Sequence, residues 1–471
     1  MRIFLFVVAL FFCQFSWSQQ SRYSQKWVEV DTLELRGQVA SALKIVDDIR
    51  ASSRDNEGLD YVKASIFRWK FIKITTEEAE NTILKEVNQN IAESSGVNKA
   101  LFGAVKAKLL KDYYETQKYK SKNRSTGQEK VDDITRWSNL ELVTEIINTY
   151  QKTLKEKATL LKIPAGDITD LLSETIITRA YKPTLYDIIA QEAMQFYRNP
   201  FYGIDRPETL FNIDNAVVFG NSSSFRNWDF KSKDSLASKF NTVKLLQEIE
   251  EVHKNDANIT AYVFAQLERL RFAKEHYIKS GKEALYEEAL LELLSAEQVG
   301  SQKDNSHSIY GLIQYELASY YVDQAPRSFK KNEEGAKRDM YSKAEKLCNE
   351  IIAAYPNSEA STKATQLLKK IYSVSLAVKT KKHILPGVEN RLFVNYRNVD
   401  SLRVRILKLS VYEDTDTYSL PIKILGRLKS NDSATVVHDQ YYVLPMSQDR
   451  GYHTTEFSTF FNPWLLSCFC R

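Results

Sequence analysis

Two regimes of hydrophobic spacing divide the chain. From about Trp27 to Ser373, apolar residues recur at intervals of three and four, the period of one helix face. Val39, Leu43, Val46 and Ile49 form one such stripe. The clearest stripe is Tyr341, Ala344, Leu347, Cys348, Ile351, Ile352 and Tyr355. Pro356 stops that helix, Asn357 and Ser358 can cap the next, and Leu367, Leu368 and Ile371 resume the pattern. The spacing predicts two antiparallel helices with a short loop, each needing further neighbours to bury its stripe. Tyr286, Ala289 and Leu293 return as Tyr341, Ala344 and Cys348 about 55 residues on. Between them, a helix carrying Tyr310, Tyr315, Leu317, Tyr320 and Tyr321 is predicted. A polar insertion from Ala325 to Arg338 accounts for the excess over the ~34-residue tetratricopeptide period.

Near Lys379 the period changes from helical to two. Lys379, Lys381 and Lys382 form a polar link ending at Pro386-Gly387. Leu392, Val394 and Tyr396 then alternate with Phe393, Asn395 and Arg397, which predicts a strand. Asn398 to Ser401 has turn chemistry. In the next run Leu402, Val404 and Ile406 face one way, and Arg403 and Arg405 the other. Further strand-like runs lie at Tyr418 to Leu425, Ala434 to Leu444 and His453 to Phe457. Strands at this spacing without intervening helices predict an antiparallel sandwich. The fold expected is mainly α: stacked, tetratricopeptide-like hairpins followed by a partial antiparallel β-sandwich.

Composition fits that outline. In 471 residues, 43% are hydrophobic, which supports genuine cores, and only 15 Gly and 10 Pro favour long helices over a turn-rich β protein. A balance of 65 basic against 60 acidic side chains gives no ground for a nucleic-acid partner. Arg2 precedes an apolar run from Ile3 to Phe12, and Ser16 and Ser18 have the spacing that signal peptidase requires. Residues 1–18 are therefore expected to be a secretory signal. Cys13 raises a lipoprotein reading, but bulky Phe11 and Phe12 stand where small residues are needed. No later run reaches the ~18 apolar residues of a membrane helix, so no integral span is expected. Export to the periplasm or the outer-membrane-associated cell envelope follows as an expectation. Three cysteines beyond the signal, Cys348, Cys468 and Cys470, make no disulfide framework.

Candidate chemistry is sparse. The histidines at 253, 276, 307, 383, 438 and 453 show no metal-ligand spacing. Phosphate loops, nucleophile elbows and zinc-protease motifs are missing from the sequence. Gly220-Asn221-Ser222-Ser223-Ser224 reads as a turn. Lys118, Lys120, Lys122 and Arg124, interleaved with Tyr119, read as a solvated loop, because Glu129, Asp132 and Asp133 follow at once. The pairs Glu250-Glu251 and Glu287-Glu288 are expected on exposed helix faces. Cys348 lies on an apolar stripe and is expected to be a buried thiol. No catalytic, cofactor-binding or metal residue is nominated, no cofactor is implied, and the chain is not expected to be an enzyme.

The stretch Asn390-Arg391-Leu392-Phe393-Val394-Asn395-Tyr396-Arg397-Asn398-Val399, followed by Leu402-Arg403-Val404-Arg405-Ile406, resembles the opening of the first macroglobulin-type sandwich in bacterial alpha-2-macroglobulin-like proteins. Lys182 to Asp187, Tyr119 to Ser125 with Asn123-Arg124, and Cys348 to Ser358 with Tyr355-Pro356 look like landmarks of that family's N-terminal helical region. The resemblance implies a large envelope protein that traps attacking proteases after cleavage of a bait region, often with an internal Cys–Gln thioester. Here Cys348 is followed by Asn349-Glu350-Ile351, without the glutamine, and Cys468 and Cys470 lack the motif. The expected division is residues 1–18 signal peptide, 19–200 N-terminal helical region, 201–378 tetratricopeptide-like hairpins and 379–471 an incomplete macroglobulin-type sandwich. The end from about 458 is rich in Phe, Trp and Cys and does not read as strand. It is expected to be an aberrant, frameshifted or misassigned tail on a truncated chain, the alternative being a genuine hydrophobic final strand. Beside an undetected enzyme, for which no residue can be named, two functions stay open. One is the N-terminal fragment of an endopeptidase inhibitor, itself without bait region or thioester. The other is a tetratricopeptide-type interaction scaffold of the envelope. Both imply protein partners, either target proteases or envelope proteins.

Overall fold

The computed structural model describes residues 22–54, 59–77, 79–124, 132–171, 180–199, 201–202, 204, 210–234, 236–296, 299, 309–330, 339–381, 388–408, 435–445, 449–460 and 468–470. The expected signal, the run at Tyr418 to Leu425 and part of the hydrophobic end lie outside them. The protein is mainly helical with small antiparallel sheets at its C-terminal end, and it divides into two compact units, Met1–Lys282 and Glu283–Arg471.

The first unit contains α1 (Ser24–Leu35), α2 (Val39–Ser53), α3 (Leu59–Thr75), α4 (Glu80–Glu93), α5 (Gly96–Ser121) and α6 (Asn139–Lys155). It continues with α7 (Lys157–Leu160), α8 (Leu185–Arg198), α9 (Ser222–Asn227), α10 (Ser238–His253) and α11 (Thr260–His276). Successive helices pack as neighbours at α1–α2, α2–α3 and α5–α6, and α10 lies against both α8 and α11. The stripe on α2 is the reason for the first packing: Ala42, Val46 and Ile49 are fully buried with Phe71 and Trp27. Val46 and Ile49 each contribute about 1.5–3 kcal/mol on burial. Local sequence fixes where helices start. Ser138 and Glu141 form a reciprocal capping box on α6, and Thr184 and Asp187 one on α8.

The second unit opens with α12 (Lys282–Ser295), α13 (Ile309–Lys330), α14 (Met340–Ala354) and α15 (Glu359–Ile371). The repeat read from sequence is a packing repeat: Tyr286, Ala289, Leu293, Tyr341, Ala344 and Cys348 are all buried. The Tyr286 and Tyr320 rings meet edge to face at 5.8 Å, joining α12 to α13. α13, α14 and α15 all pack on one another. The expected polar insertion at Ala325 starts too early. Helix α13 runs on through Pro326 to Lys330, because Val322 and Ala325 keep its buried face apolar. Ser358 caps α15 as anticipated, its hydroxyl accepting from the Ser361 amide at 3.0 Å.

Six strands follow: β1 (Ser375–Lys379), β2 (Glu389–Arg397), β3 (Ser401–Lys408), β4 (Thr435–Val443), β5 (His453–Phe460) and β6 (Cys468–Cys470). Lys379, read as the start of a linker, closes β1. All pairing is antiparallel, in two sheets of order β1-β2-β5 and β4-β3-β6. Asn398, in the left-handed region at φ 52°, turns the chain from one sheet to the other. Leu392, Val394 and Tyr396 from the first sheet face Leu402, Val404 and Tyr442 from the second in one core. Strand alternation thus packs as a sandwich. Part of the expected non-strand tail is in fact strand. Ser458 to Phe460 extend β5, and Cys468–Cys470 pair with Ile406 to Val404 on the side of β3 opposite β4.

Candidate functional site

Three polar constellations stand out from these cores, two in the first unit and one in the second. In the first unit, Glu250 on α10 is completely buried, which corrects the expectation of an exposed Glu250-Glu251 pair. Its Oε1 accepts from Arg269 Nε of α11 at 2.7 Å. Arg269 Nη1 also donates to the carbonyls of Val218 at 2.9 Å and Gly220 at 2.7 Å, and the guanidinium lies over the Phe225 ring at 4.6 Å. Ser222 donates to the other Glu250 oxygen and accepts from Arg226 Nη1, which reaches Tyr262 as well. Gln247 donates to the carbonyls of Phe225 and Trp228, both at 2.7 Å. The segment 216–228 is thereby tied to α10 and α11 through its carbonyls and through the side chains of Ser222, Phe225 and Arg226. Burial pushes the Glu250 carboxyl above the usual range, while the Arg269 guanidinium pulls it down. Ser222, read as part of a turn, instead sits in α9 with both hydrogen-bonding roles of its hydroxyl filled.

One turn further along α10, His253 is buried between two carboxylates. Its Nε2 lies 2.6 Å from Asp187 Oδ1, and its Nδ1 lies 2.6 Å from Asp256 Oδ2. Asp187 also accepts from the amide and hydroxyl of Thr184. The Lys182 to Asp187 landmark therefore starts α8 and fastens it to α10. Burial lowers the affinity of His253 for a proton, but the hydrogen bonds and charge of Asp187, helped by Asp256, more than compensate and leave its pKa raised.

In the second unit, the constellation joins the last hairpin to the sandwich. α15 ends with carbonyls that have no partner inside the helix. Arg397, the last residue of β2, donates through Nη2 to the carbonyls of Ile371 at 2.6 Å and Lys370 at 3.3 Å. Asn398 Nδ2 donates to Ile371 at 2.8 Å and Ser373 at 3.1 Å. A cation and an amide at this end suit the negative pole of the helix. Arg397 Nε reaches the Arg450 carbonyl at 2.9 Å, and its guanidinium lies 4.2 Å from the Tyr341 ring centre and 5.4 Å from that of Tyr452. Arg450 itself pairs with Glu345 of α14, which also accepts from the Tyr372 hydroxyl at 2.6 Å. Helices α14 and α15, strand β2 and the segment 449–453 thus meet at one arginine.

The remaining sequence candidates fall elsewhere. Cys348 is buried, and burial pushes its thiol up to about 12, which leaves it a poor nucleophile. Lys118, Tyr119 and Lys120 belong to the last turn of α5 rather than to a loop, where cations suit the helix pole. Arg124 donates to the Trp137 carbonyl at 3.1 Å. Glu287 is half-buried and accepts from Tyr320, whereas Glu288 is exposed. Among the described residues no group of three or more His, Cys, Asp or Glu is arranged to hold a metal, and no helix is long and apolar enough to cross a membrane. Sequence reading missed Glu250, Arg269 and Arg397. A signal for the first exists: Val243, Leu246, Glu250 and His253 share one helical stripe, so two ionisable residues occupy core positions.

Taken together, fold and junction define a mainly helical protein whose last hairpin is capped by an antiparallel sandwich. Comparison with family models and with curated proteins finds no match for this chain.

Proposed function

We propose that the chain is the N-terminal part of an exported, macroglobulin-type endopeptidase inhibitor, working in the periplasm or at the outer-membrane-associated envelope. Its helical region braces the first sandwich. The observation that carries this reading is the junction at Arg397. Within the stretch that resembles the opening of a macroglobulin-type domain, Arg397 and Asn398 are the residues that fasten the sandwich to the end of α15. A trap that closes after bait cleavage requires a fixed base against which later domains move, and a capped, tyrosine-packed helix end supplies rigidity. The buried thiol of Cys348 agrees with a thioester, where one exists, being formed by other residues.

The test uses the gene product read through in frame beyond codon 471, incubated with a broad-specificity endopeptidase. Trapping predicts that cleavage of a small chromogenic peptide persists while digestion of a large protein substrate is lost, since a caged protease admits only small molecules. Unchanged digestion of the large substrate overturns the reading. The stacked hairpins of the second unit also suit a second reading, an interaction scaffold of the envelope. That reading predicts no effect on either activity, together with a true stop after Arg471.

A further inference from the structure

A cleft of about 460 Å3 opens in the first unit between α6, α7, α8 and α10. Its size falls within the range of small-molecule sites, about 300–1,000 Å3. Lys155, Lys157 and Lys244 line it, and none forms an ion pair with any described residue. The cleft's own carboxylate, Glu248, adjoins the buried phenols of Tyr186 and Tyr197, and burial together with that charge raises both. Tyr197 therefore stays protonated in the cleft wall. Leu245 adds an apolar surface, and Asn241 in the wall accepts from Gln151 at 3.5 Å.

From this lining we propose that the cleft binds a phosphate monoester on a hydroxyl-bearing, sugar-like body. Three lysines on one cleft, with the Lys157 ammonium 5.9 Å from the Tyr186 ring centre, supply the positive charge that a tetrahedral phosphate takes as point charges. A planar carboxylate is better met by the arginine fork, and no arginine lines the cleft. Glu248, exposed on the cleft wall, is placed to accept hydrogen bonds from hydroxyls, while Leu245 and Tyr197 cover the body's apolar face.

Titration calorimetry of the full chain with glucose 6-phosphate, inorganic phosphate and glucose tests this. Saturable binding of glucose 6-phosphate is expected, tighter than that of phosphate and weakened by added salt, with none for glucose. Combined Lys155→Ala, Lys157→Ala and Lys244→Ala should weaken it at least tenfold. Lys26→Ala, Lys85→Ala and Lys99→Ala, at exposed positions elsewhere, should leave it unchanged. Glu248→Gln should tighten inorganic phosphate severalfold. Lys155→Ala alone, at an exposed position, should weaken glucose 6-phosphate about threefold and serves if the triple variant does not fold. No saturable binding, or equal affinity in the Lys155 variants and the native protein, overturns the proposal. A lipid-borne source is distinguished by vesicles containing phosphatidic acid: binding to vesicles that glucose 6-phosphate does not displace also overturns it.

Discussion

Arg269 in the first unit and Arg397 in the second are nearly inaccessible, 3% and 4% exposed, and each donates to several backbone carbonyls. They differ in what balances the charge. Arg269 has a fully buried carboxylate, Glu250, at 2.7 Å. Arg397 has no carboxylate within ion-pair distance among the described residues. The carbonyl end of α15 and the faces of Tyr341 and Tyr452 take that place. The first arrangement carries the desolvation cost of two ions, and the second that of one, partly offset by a helix pole. A buried pair is thus fragile to loss of one partner, whereas a charge held by dipoles and rings depends on shape.

The largest break in this comparison is expected from Glu250→Ala. It strands Arg269 in the core and should lower stability by about 3–5 kcal/mol, read as the urea midpoint of the first unit. The double change Glu250→Leu with Arg269→Met should recover most of that loss, since no charge is left buried. Arg397→Ala should cost about 2–3 kcal/mol, because the Arg450 carbonyl loses its donor and the stacking on Tyr341 and Tyr452 is lost. Asn398 and Ser373 still donate to the Ile371 and Lys370 carbonyls. Arg397→Lys should recover little, because an ammonium neither spans two carbonyls nor stacks on Tyr341. Gly311→Ala sharpens the contrast by removing no charge. A methyl there would lie 2.8 Å from the Tyr355 ring and 3.2 Å from Ala360. The overpacking, less the gain in helix propensity, should cost about 1–2 kcal/mol by thermal denaturation.

Smaller again is the pH response of His253. Its folded pKa is raised, so its contribution is fully present below the unfolded value near 6.5 and is lost as pH rises through the folded value. Stability of the first unit should therefore fall above about pH 6.5, with a slope of at most about 1.4 kcal/mol per pH unit. His253→Gln should abolish that slope. The smallest effect belongs to Arg403→Ala. Its partner Asp439, whose carboxyl the Arg403 and Arg405 hydrogen bonds hold at about 2, lies at the surface. The melting midpoint should not move measurably.

Hairpins and strands were legible because their periods differ: a stripe such as Tyr341, Ala344 and Cys348 has only one buried face to offer. The cap at Ser358 and the alternation from Leu392 to Tyr396 were equally plain. The two-sheet turn at Asn398 was visible only as turn chemistry, since pairing partners far apart in sequence decide whether a turn makes a hairpin or a corner. The polar constellations were harder to see. Glu250 looked exposed because its neighbour Glu251 is, although its own position falls on the apolar stripe. Arg397 read as the outward residue of a strand, and nothing local announces that the end of α15 lies beside it.

The central claim is that the hairpins and the sandwich of the second unit are one cooperative body fastened at Arg397. Native-state hydrogen exchange on the full chain, comparing Arg397→Ala with the native protein, tests it most directly. The account predicts that peptides covering 359–371 and 389–397 lose protection together and by similar factors. Loss confined to the helix, with the strand unchanged, would contradict it.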